Sequence, residues 1–298
     1  MLKATLTFFT FYLSLIATAQ DKNAPYFGHP PAGGTWSVFA PGTISLPDRV
    51  EFGSIYSKDG KEFYYAIEIN GKAEILSRKL ENNKWSEPVQ IMSHKEYSYN
   101  DPFFTPDEKR LFFISDQPIN GTGPKKDFDI WYIERQGKNW SKPINAGKAI
   151  NTPENQYFIS FTKTGAIYFS SNIKSEEGTD DYDIYTCPYE NGEFKPAVRL
   201  GPEINTTGYE GDVFVDPNER YLIYCTNRPG TFGRGDLFIS YKNTDGTWTQ
   251  SKNMGKEVNE EKTEYCPFVT HDGKFLLFTA NGDIRWIDAG IIEKLRKP

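Results

Sequence analysis

Apolar and polar positions alternate along most of the chain in short runs that turn residues interrupt. The clearest runs come in pairs around a turn, as in EFGSIYSKDGKEFYYA from Glu51 and EYCPFVTHDGKFLLFTA from Glu264. Two strand-like runs joined by Asp-Gly, Pro-Asp or a similar turn predict a β-hairpin. The turns of the five hairpins are Asp59-Gly60, Pro106-Asp107, Thr164-Gly165, Pro217-Asn218 and Asp272-Gly273.

The hairpin recurs five times with a period near 50 residues, and successive copies are 48, 57, 54 and 54 residues apart. A third strand follows each hairpin and opens on an acidic residue, namely Glu74, Asp129, Asp183, Asp236 and Asp283. A fourth strand begins at an aromatic residue in four copies, namely Trp85, Trp140, Phe194 and Trp248. Four strands per unit and five units predict an all-β fold, a five-bladed β-propeller of four-stranded blades.

The fifth unit lacks its fourth strand, because the chain after Trp286 reads as a short terminal helix. Residues 36–45 have the form of the missing strand and precede the first unit. We therefore predict that this N-terminal strand completes the last blade, which closes the ring and removes exposed sheet edges. The propeller domain is assigned to residues 35–298, and the Pro- and Gly-rich residues 20–34 are expected to form a flexible lead-in.

Two hairpins carry a family resemblance, DPFFTPDEKRLFFIS from Asp101 and CPFVTHDGKFLLFTA from Cys266. With the Asp-Ile-Trp that follows the first of them, they resemble the TolB-type, WD-like propeller repeats of exported bacterial proteins. The resemblance covers residues 36–288 and implies a propeller in the cell envelope. It implies no reaction, because the repeat serves binding proteins and enzymes alike.

The first 19 residues read as a secretory signal peptide. No residue between Lys3 and Asp21 is charged, residues 6–16 are mostly apolar, and the run ends in Ala17-Thr18-Ala19. The alternative is a membrane anchor, but this apolar run falls short of the roughly 20 residues that span a bilayer. The sequence thus predicts a periplasmic or secreted protein without a transmembrane segment.

Composition narrows the possible partners and cofactors. A net charge of −6 provides no basic surface for nucleic acid, which is excluded as a partner. Cys187, Cys225 and Cys266 lie in strand-like runs without Cys-x-x-Cys spacing, and we interpret them as small buried hydrophobes. No phosphate-binding, zinc-protease or nucleophile-elbow motif occurs, so we expect no cofactor and no metal. We also expect a monomer.

The beginnings of the first strands form the main candidate site. These strands line the channel of a propeller, and ligands bind on the face that carries the long loops. Carboxylates there can raise one another's pKa; the alternative is that they hold the ring by hydrogen-bonding nearby backbone amides. Aromatic rings beside acids and amides also suit sugars. The candidates are Glu51, Tyr99, Asn100, Asp101, Gln156, Tyr209, Glu210, Asp212, Glu264 and Tyr265.

Three long loops at 116–126, 172–181 and 227–235 are predicted to raise the rim over blades 2 to 4 and form a groove. Arg228 and Arg234 add positive charges that can meet carboxylate or phosphate groups. The alternative is that these are ordinary solvated loop charges.

The sequence favours non-catalytic binding of an envelope protein, a peptide or a glycan on the loop-rich face. The alternative is a glycan-active hydrolase, in which Glu210 and Asp101 are the best candidates for the catalytic carboxylates. Whether the protein is an enzyme stays open at this point.

Overall fold

Five antiparallel sheets, one for each sequence unit, and one separate two-stranded hairpin make up the β-structure of the described residues. The structure is a computed structural model that describes residues 25–173 and 181–297. The prediction of an all-β, five-bladed propeller is confirmed. The predicted signal peptide, residues 1–19, lies outside the described residues.

Blades 1 to 3 run from the innermost strand outward in sequence order. The strands of blade 1 are Val50–Tyr56, Glu62–Ile69, Lys72–Glu81 and Val89–Met92, with Lys84–Trp85 beside the third. Those of blade 2 are Tyr99–Phe104, Arg110–Ser115, Asp129–Gln136 and Ile144–Asn145, with Asn139–Trp140 beside the third. Those of blade 3 are Gln156–Phe161, Ile167–Ser171, Asp183–Cys187 and Val198–Arg199. Between its third and fourth strands, Tyr189–Glu190 and Glu193–Phe194 form a separate small hairpin.

Blades 4 and 5 complete the ring. The strands of blade 4 are Glu210–Val215, Tyr221–Thr226, Asp236–Tyr241 and Lys252–Asn253. Those of blade 5 are Glu264–Val269, Phe275–Ala280, Asp283–Asp288 and the N-terminal Ser37–Val38. Ser37 pairs with Trp286 and Val38 with Arg285, and the innermost strands of blades 5 and 1 contact each other as the other neighbouring pairs do.

The segment before the first strand packs on the propeller. A 3-10 turn at Tyr26–Gly28 buries Phe27, whose ring stacks on Trp85 at 4.2 Å. The Tyr26 hydroxyl donates to Asp272 at 2.9 Å. From residue 25 onward the expected flexible lead-in is thus attached to blades 1 and 5. A helix at Gly290–Arg296 ends the described chain.

A repeated asparagine ties the third strand of three blades to the connection that leads to the next blade. Asn151, Asn205 and Asn259 each bond the backbone N–H and C=O of one strand residue at 2.7–2.9 Å. The strand residues are Ile130, Ile184 and Leu237. The side chain therefore supplies the partner of the strand N–H, while the C=O also accepts from a backbone N–H at the end of the fourth strand.

Replacing Asn205 with Ala is expected to lower the free energy of unfolding by about 2 kcal/mol, because it leaves the buried N–H of Ile184 without a partner. Urea denaturation measures the change. Asn218→Ala, at an exposed turn, is the matched control and should change stability by less than about 0.5 kcal/mol. Equal losses in the two variants would contradict this role.

Candidate functional site

Each innermost strand carries a one-residue β-bulge at the same repeat position. Pairing with the second strand shifts there in all five blades. The bulge residues have φ between 46° and 53° and are Gly53, Asp101, Phe158, Asp212 and Cys266. Such backbone angles are unfavourable for residues other than glycine and concentrate at functional sites. Four non-glycine residues in this conformation therefore make this ring of bulges a candidate functional site.

The bulges bring side chains from three blades together at the channel axis. The potential ligand atoms of Asp101, Asp212 and Cys266 all lie within 4.8 Å of one another. The Cys266 thiol donates to Asp101 Oδ1 at 3.2 Å. The bulge of blade 1 requires glycine, because a Cβ on Gly53 would lie 2.5 Å from Asp101 Oδ1. We call Asp101 and Asp212 the acid pair.

The acid pair lacks a positive partner. Among residues 25–173 and 181–297, neither aspartate forms an ion pair, whereas buried Glu51, Glu210 and Asp129 pair with Arg49, Arg228 and Lys126. The partners that the structure gives the acid pair are the Cys266 thiol and the Tyr209 hydroxyl. Two neighbouring carboxylates without a counter-charge are costly to keep ionised away from water.

The pKa values of the three groups follow from this environment. Burial, with the charge of Asp212 added, raises the pKa of Asp101 to about 7. Burial raises the pKa of Asp212 to about 6, against the hydrogen bonds from Tyr209 and Cys266. Burial and the two carboxylates hold the pKa of the Cys266 thiol well above its usual range. The thiol is therefore protonated at neutral pH and acts as a donor.

Tyrosine rings border the acid pair. The Tyr209 hydroxyl donates to Asp212 Oδ2 at 3.2 Å, and it fills the space that a side chain at Gly211 would occupy. Burial raises the pKa of Tyr157 and Tyr265, and the charges of both aspartates raise it further. Tyr182 links the ring of Tyr157 to that of Tyr209, with centroids 5.5 and 5.6 Å away.

Four of the five residues that were aligned at the strand beginnings are fully buried and are not part of the cluster of the acid pair and Cys266. Each accepts a hydrogen bond from a backbone N–H four or five residues earlier, namely Glu51 from Leu46, Gln156 from Thr152, Glu210 from Thr206 and Glu264 from Glu260. The pKa of Glu51 and of Glu264 rises to about 7, mainly through burial. These contacts match the alternative in which the residues at the strand beginnings hold the ring by hydrogen-bonding nearby backbone amides.

The remaining predicted residues are dispersed. The Tyr99 hydroxyl donates to Gln117 at 3.2 Å, and Asn100 is half-buried beside Asp101 in sequence. Arg228 pairs with Glu210 at 3.2 Å, while Arg234 is exposed on its loop. Of the predicted residues, the structure brings together Asp101, Asp212, Tyr209 and Tyr265.

Sequence reasoning missed Cys266 as a part of this site. Cys266 is buried as predicted, at 2% exposure, but its thiol also contacts a carboxylate. It occupies the repeat position of Asp101 and Asp212, so the aligned hairpins contained the signal. Tyr157 holds the repeat position of Tyr265, one residue before the bulge.

A phenylalanine layer closes the channel next to the acid pair. The rings of Phe103, Phe214 and Phe268 lie with centroids 6.0–6.5 Å apart, and Phe161 is 6.3 Å from Phe103. Three of these residues follow the bulge residues by two positions, so the acid pair is on the side of the long loops. A cavity of about 650 Å³ opens on the opposite side, where the hairpin turns lie.

The three long loops each expose a large apolar side chain. The exposed fractions are 70% for Ile119, 38% for Ile173 and 44% for Phe232. The described parts of these loops thus add apolar contact points to the rim of the face that holds the acid pair. No helix among the described residues is long and apolar enough to cross a membrane.

Solved structures share this fold at low sequence identity. TolB from Acinetobacter baumannii matches with a TM-score of 0.50 at 13% identity, over 82% of this chain and 56% of that chain. A protein of unknown function from Dyadobacter fermentans matches with a TM-score of 0.51 at 14% identity, over 86% and 83%. A thermostable family-43 glycoside hydrolase matches with a TM-score of 0.52 at 13% identity, over 81% and 89%.

No protein-family profile and no curated protein matches the chain. The chain spans little more than half the length of TolB, and identities this low establish the fold alone. The structural neighbours do confirm the expected likeness to TolB. The chain is a five-bladed β-propeller whose fold is similar to that of TolB-like propeller proteins.

Proposed function

We propose that this protein is an exported, non-catalytic binding propeller of the periplasm or the extracellular space, and that it recognises its ligand on the loop-rich face. The fold supports a binding role, and the signal-peptide pattern supports export. The observation that carries the proposal is the acid pair, two carboxylates at the centre of that face that have no counter-cation among the described residues.

The acid pair selects for a positively charged group. An ammonium or guanidinium group placed there supplies the missing counter-charge and makes charge-assisted hydrogen bonds to both carboxylates. The rings of Tyr209 and its neighbours add cation–π attraction. The apolar side chains of Ile119 and Phe232 on the rim suit apolar groups beside that charge. Among an envelope protein, a peptide and a glycan, this favours a protein or peptide with a basic residue flanked by apolar ones.

A glycan-active hydrolase is the second candidate. Glu210, the first candidate for the acid, is buried and bonded by Thr206, Thr226 and Arg228. The acid pair is the better choice, because its oxygens lie within 4.8 Å and one pKa is near 7. That spacing is nearer to the roughly 5–5.5 Å of retaining glycosidases than to the roughly 6.5–9.5 Å of inverting ones.

Peptides with a central lysine between apolar residues are expected to raise the melting temperature of residues 20–298, and their glutamine counterparts are not. A ligand at about 100 times its Kd stabilises by about 2.7 kcal/mol. The ligand-induced shift should disappear in Asp101→Asn and Asp212→Asn and persist in Asp48→Asn, which changes an exposed acid. Equal shifts for lysine and glutamine peptides in all variants would contradict recognition by the acid pair.

The wild-type protein and the Asp101→Asn variant also distinguish an enzyme from a binding module. A hydrolase releases reducing sugar from oligosaccharides, and Asp101→Asn abolishes that release. A binding module releases no reducing sugar from any oligosaccharide, while lysine peptides still raise the melting temperature of the wild-type protein.

A further inference from the structure

The cavity on the hairpin-turn side is a second concave site that the proposed function does not use. Its floor is the phenylalanine layer with Ile55, all of it apolar and nearly buried. The layer separates it from the acid pair, which lies two residues earlier on the same strands. A volume of about 650 Å³ is within the range of about 300–1,000 Å³ that small-molecule sites occupy.

The carboxylates around this cavity already have partners within the protein. Asp216 forms two bonds with Arg220, at 2.7 and 3.0 Å. Asp107 accepts from the Thr105 hydroxyl at 2.7 Å. Glu108 accepts from the backbone N–H of Lys58 at 2.5 Å. Arg220 thus neutralises Asp216, Asp107 also pairs with Lys109 at 3.9 Å, and Glu108 has a neutral hydrogen-bond donor.

Two lysines on the same rim form no ion pair with the described residues, so their ammonium groups are available to a ligand. Lys163 is exposed, and its ammonium has no hydrogen bond or ion pair with the described residues. The ammonium of Lys58 donates to the carbonyl of Pro106 and forms no ion pair with them. An apolar floor below two available ammonium groups complements a molecule with an apolar body and an anionic head.

We propose that this cavity binds a small carboxylate that carries an apolar chain. The chain lies on the phenylalanine layer, and the carboxylate lies at the rim against Lys58 and Lys163. The dimensions favour a small molecule, because the phenylalanine layer closes the cavity at its inner end. This site is independent of the acid pair on the opposite face.

Calorimetric titration with decanoate tests the proposal, and decanol is the uncharged probe with the same chain length. Decanoate is expected to bind the wild-type protein and to lose about tenfold in affinity in Lys58→Gln/Lys163→Gln, while decanol binds weakly to both. The control Lys84→Gln/Lys148→Gln removes two exposed lysines outside the cavity lining and should bind decanoate as the wild type does.

Three results would overturn the proposal: no decanoate binding, equal affinities for decanoate and decanol, or the same affinity in the two double variants. Binding of the tripeptide Ac-Ala-Leu-Phe with a free carboxylate, but not of decanoate, would replace the small molecule by a peptide terminus and also overturn it. Asp101→Asn should leave decanoate affinity unchanged, so failure at this site is distinguishable from failure of the proposed function.

Discussion

Replacing Asp101 with Asn is expected to raise the free energy of unfolding at pH 8 and to leave it nearly unchanged below pH 4. The pKa of this carboxyl is about 7 in the folded protein and near 3.8 in the unfolded chain. The folded state therefore binds the proton more tightly, and wild-type stability falls as the pH rises from about 4 to about 7. At about 1.4 kcal/mol per pKa unit, the loss that the asparagine avoids is on the order of 4 kcal/mol.

Urea denaturation at pH 4, 6 and 8 measures this effect. The variant should retain a weaker slope of the same sign, because burial also raises the pKa of Glu51 and Glu264 to about 7. Asp48→Asn, at an exposed position, should follow the wild-type curve. A pH dependence of Asp101→Asn identical to that of the wild type would show that the carboxyl is not held at a cost in the folded state.

Replacing Phe268 with Ala is expected to lower the free energy of unfolding by about 4 kcal/mol, within the range measured for buried phenylalanines. The side chain is 2% exposed and its ring centroid lies 6.0 Å from both Phe103 and Phe214. Alanine removes contacts with two other blades at once and leaves a cavity at the axis, where rigid strands limit collapse. Chemical denaturation measures the loss.

Phe232→Ala is the matched control, because this ring is 44% exposed on a rim loop. It should change stability by less than about 0.5 kcal/mol. Phe268→Leu should lose less than Phe268→Ala, since leucine retains much of the volume. A loss below about 1 kcal/mol for Phe268→Ala would contradict a tightly packed layer across the channel.

The hairpins were predictable because their determinants are local. Turns such as Asp59-Gly60 and Asp272-Gly273 stand between apolar runs, and residues close in sequence decide such turns. The strand pairings across them appear as expected. The pairing of Ser37–Val38 with the third strand of blade 5 joins residues nearly 250 positions apart. It followed from the repeat alone, because one unit lacked the strand that the N-terminal segment resembled.

The membership of the site was only partly predictable, and the bulges are the reason. Glu210 and Asp212 were placed in one candidate site because both lie near the beginning of a first strand, and in a regular strand residues two apart share a face. The bulge at Asp212 breaks that alternation, with φ of 52°. Glu210 consequently bonds the preceding loop, whereas Asp212 reaches the axis beside Asp101.

The sequence by itself determined the number of blades, the order of their strands and the residues that form the turns, because each unit repeats local rules of turn and strand formation. Only the tertiary structure decided which side chains meet at the axis, that Cys266 joins Asp101 and Asp212, and that a phenylalanine layer divides the channel. Those contacts join residues of different blades that are 50 to 165 positions apart in the sequence. Their geometry depends on the closure of the ring and on the β-bulge in every innermost strand.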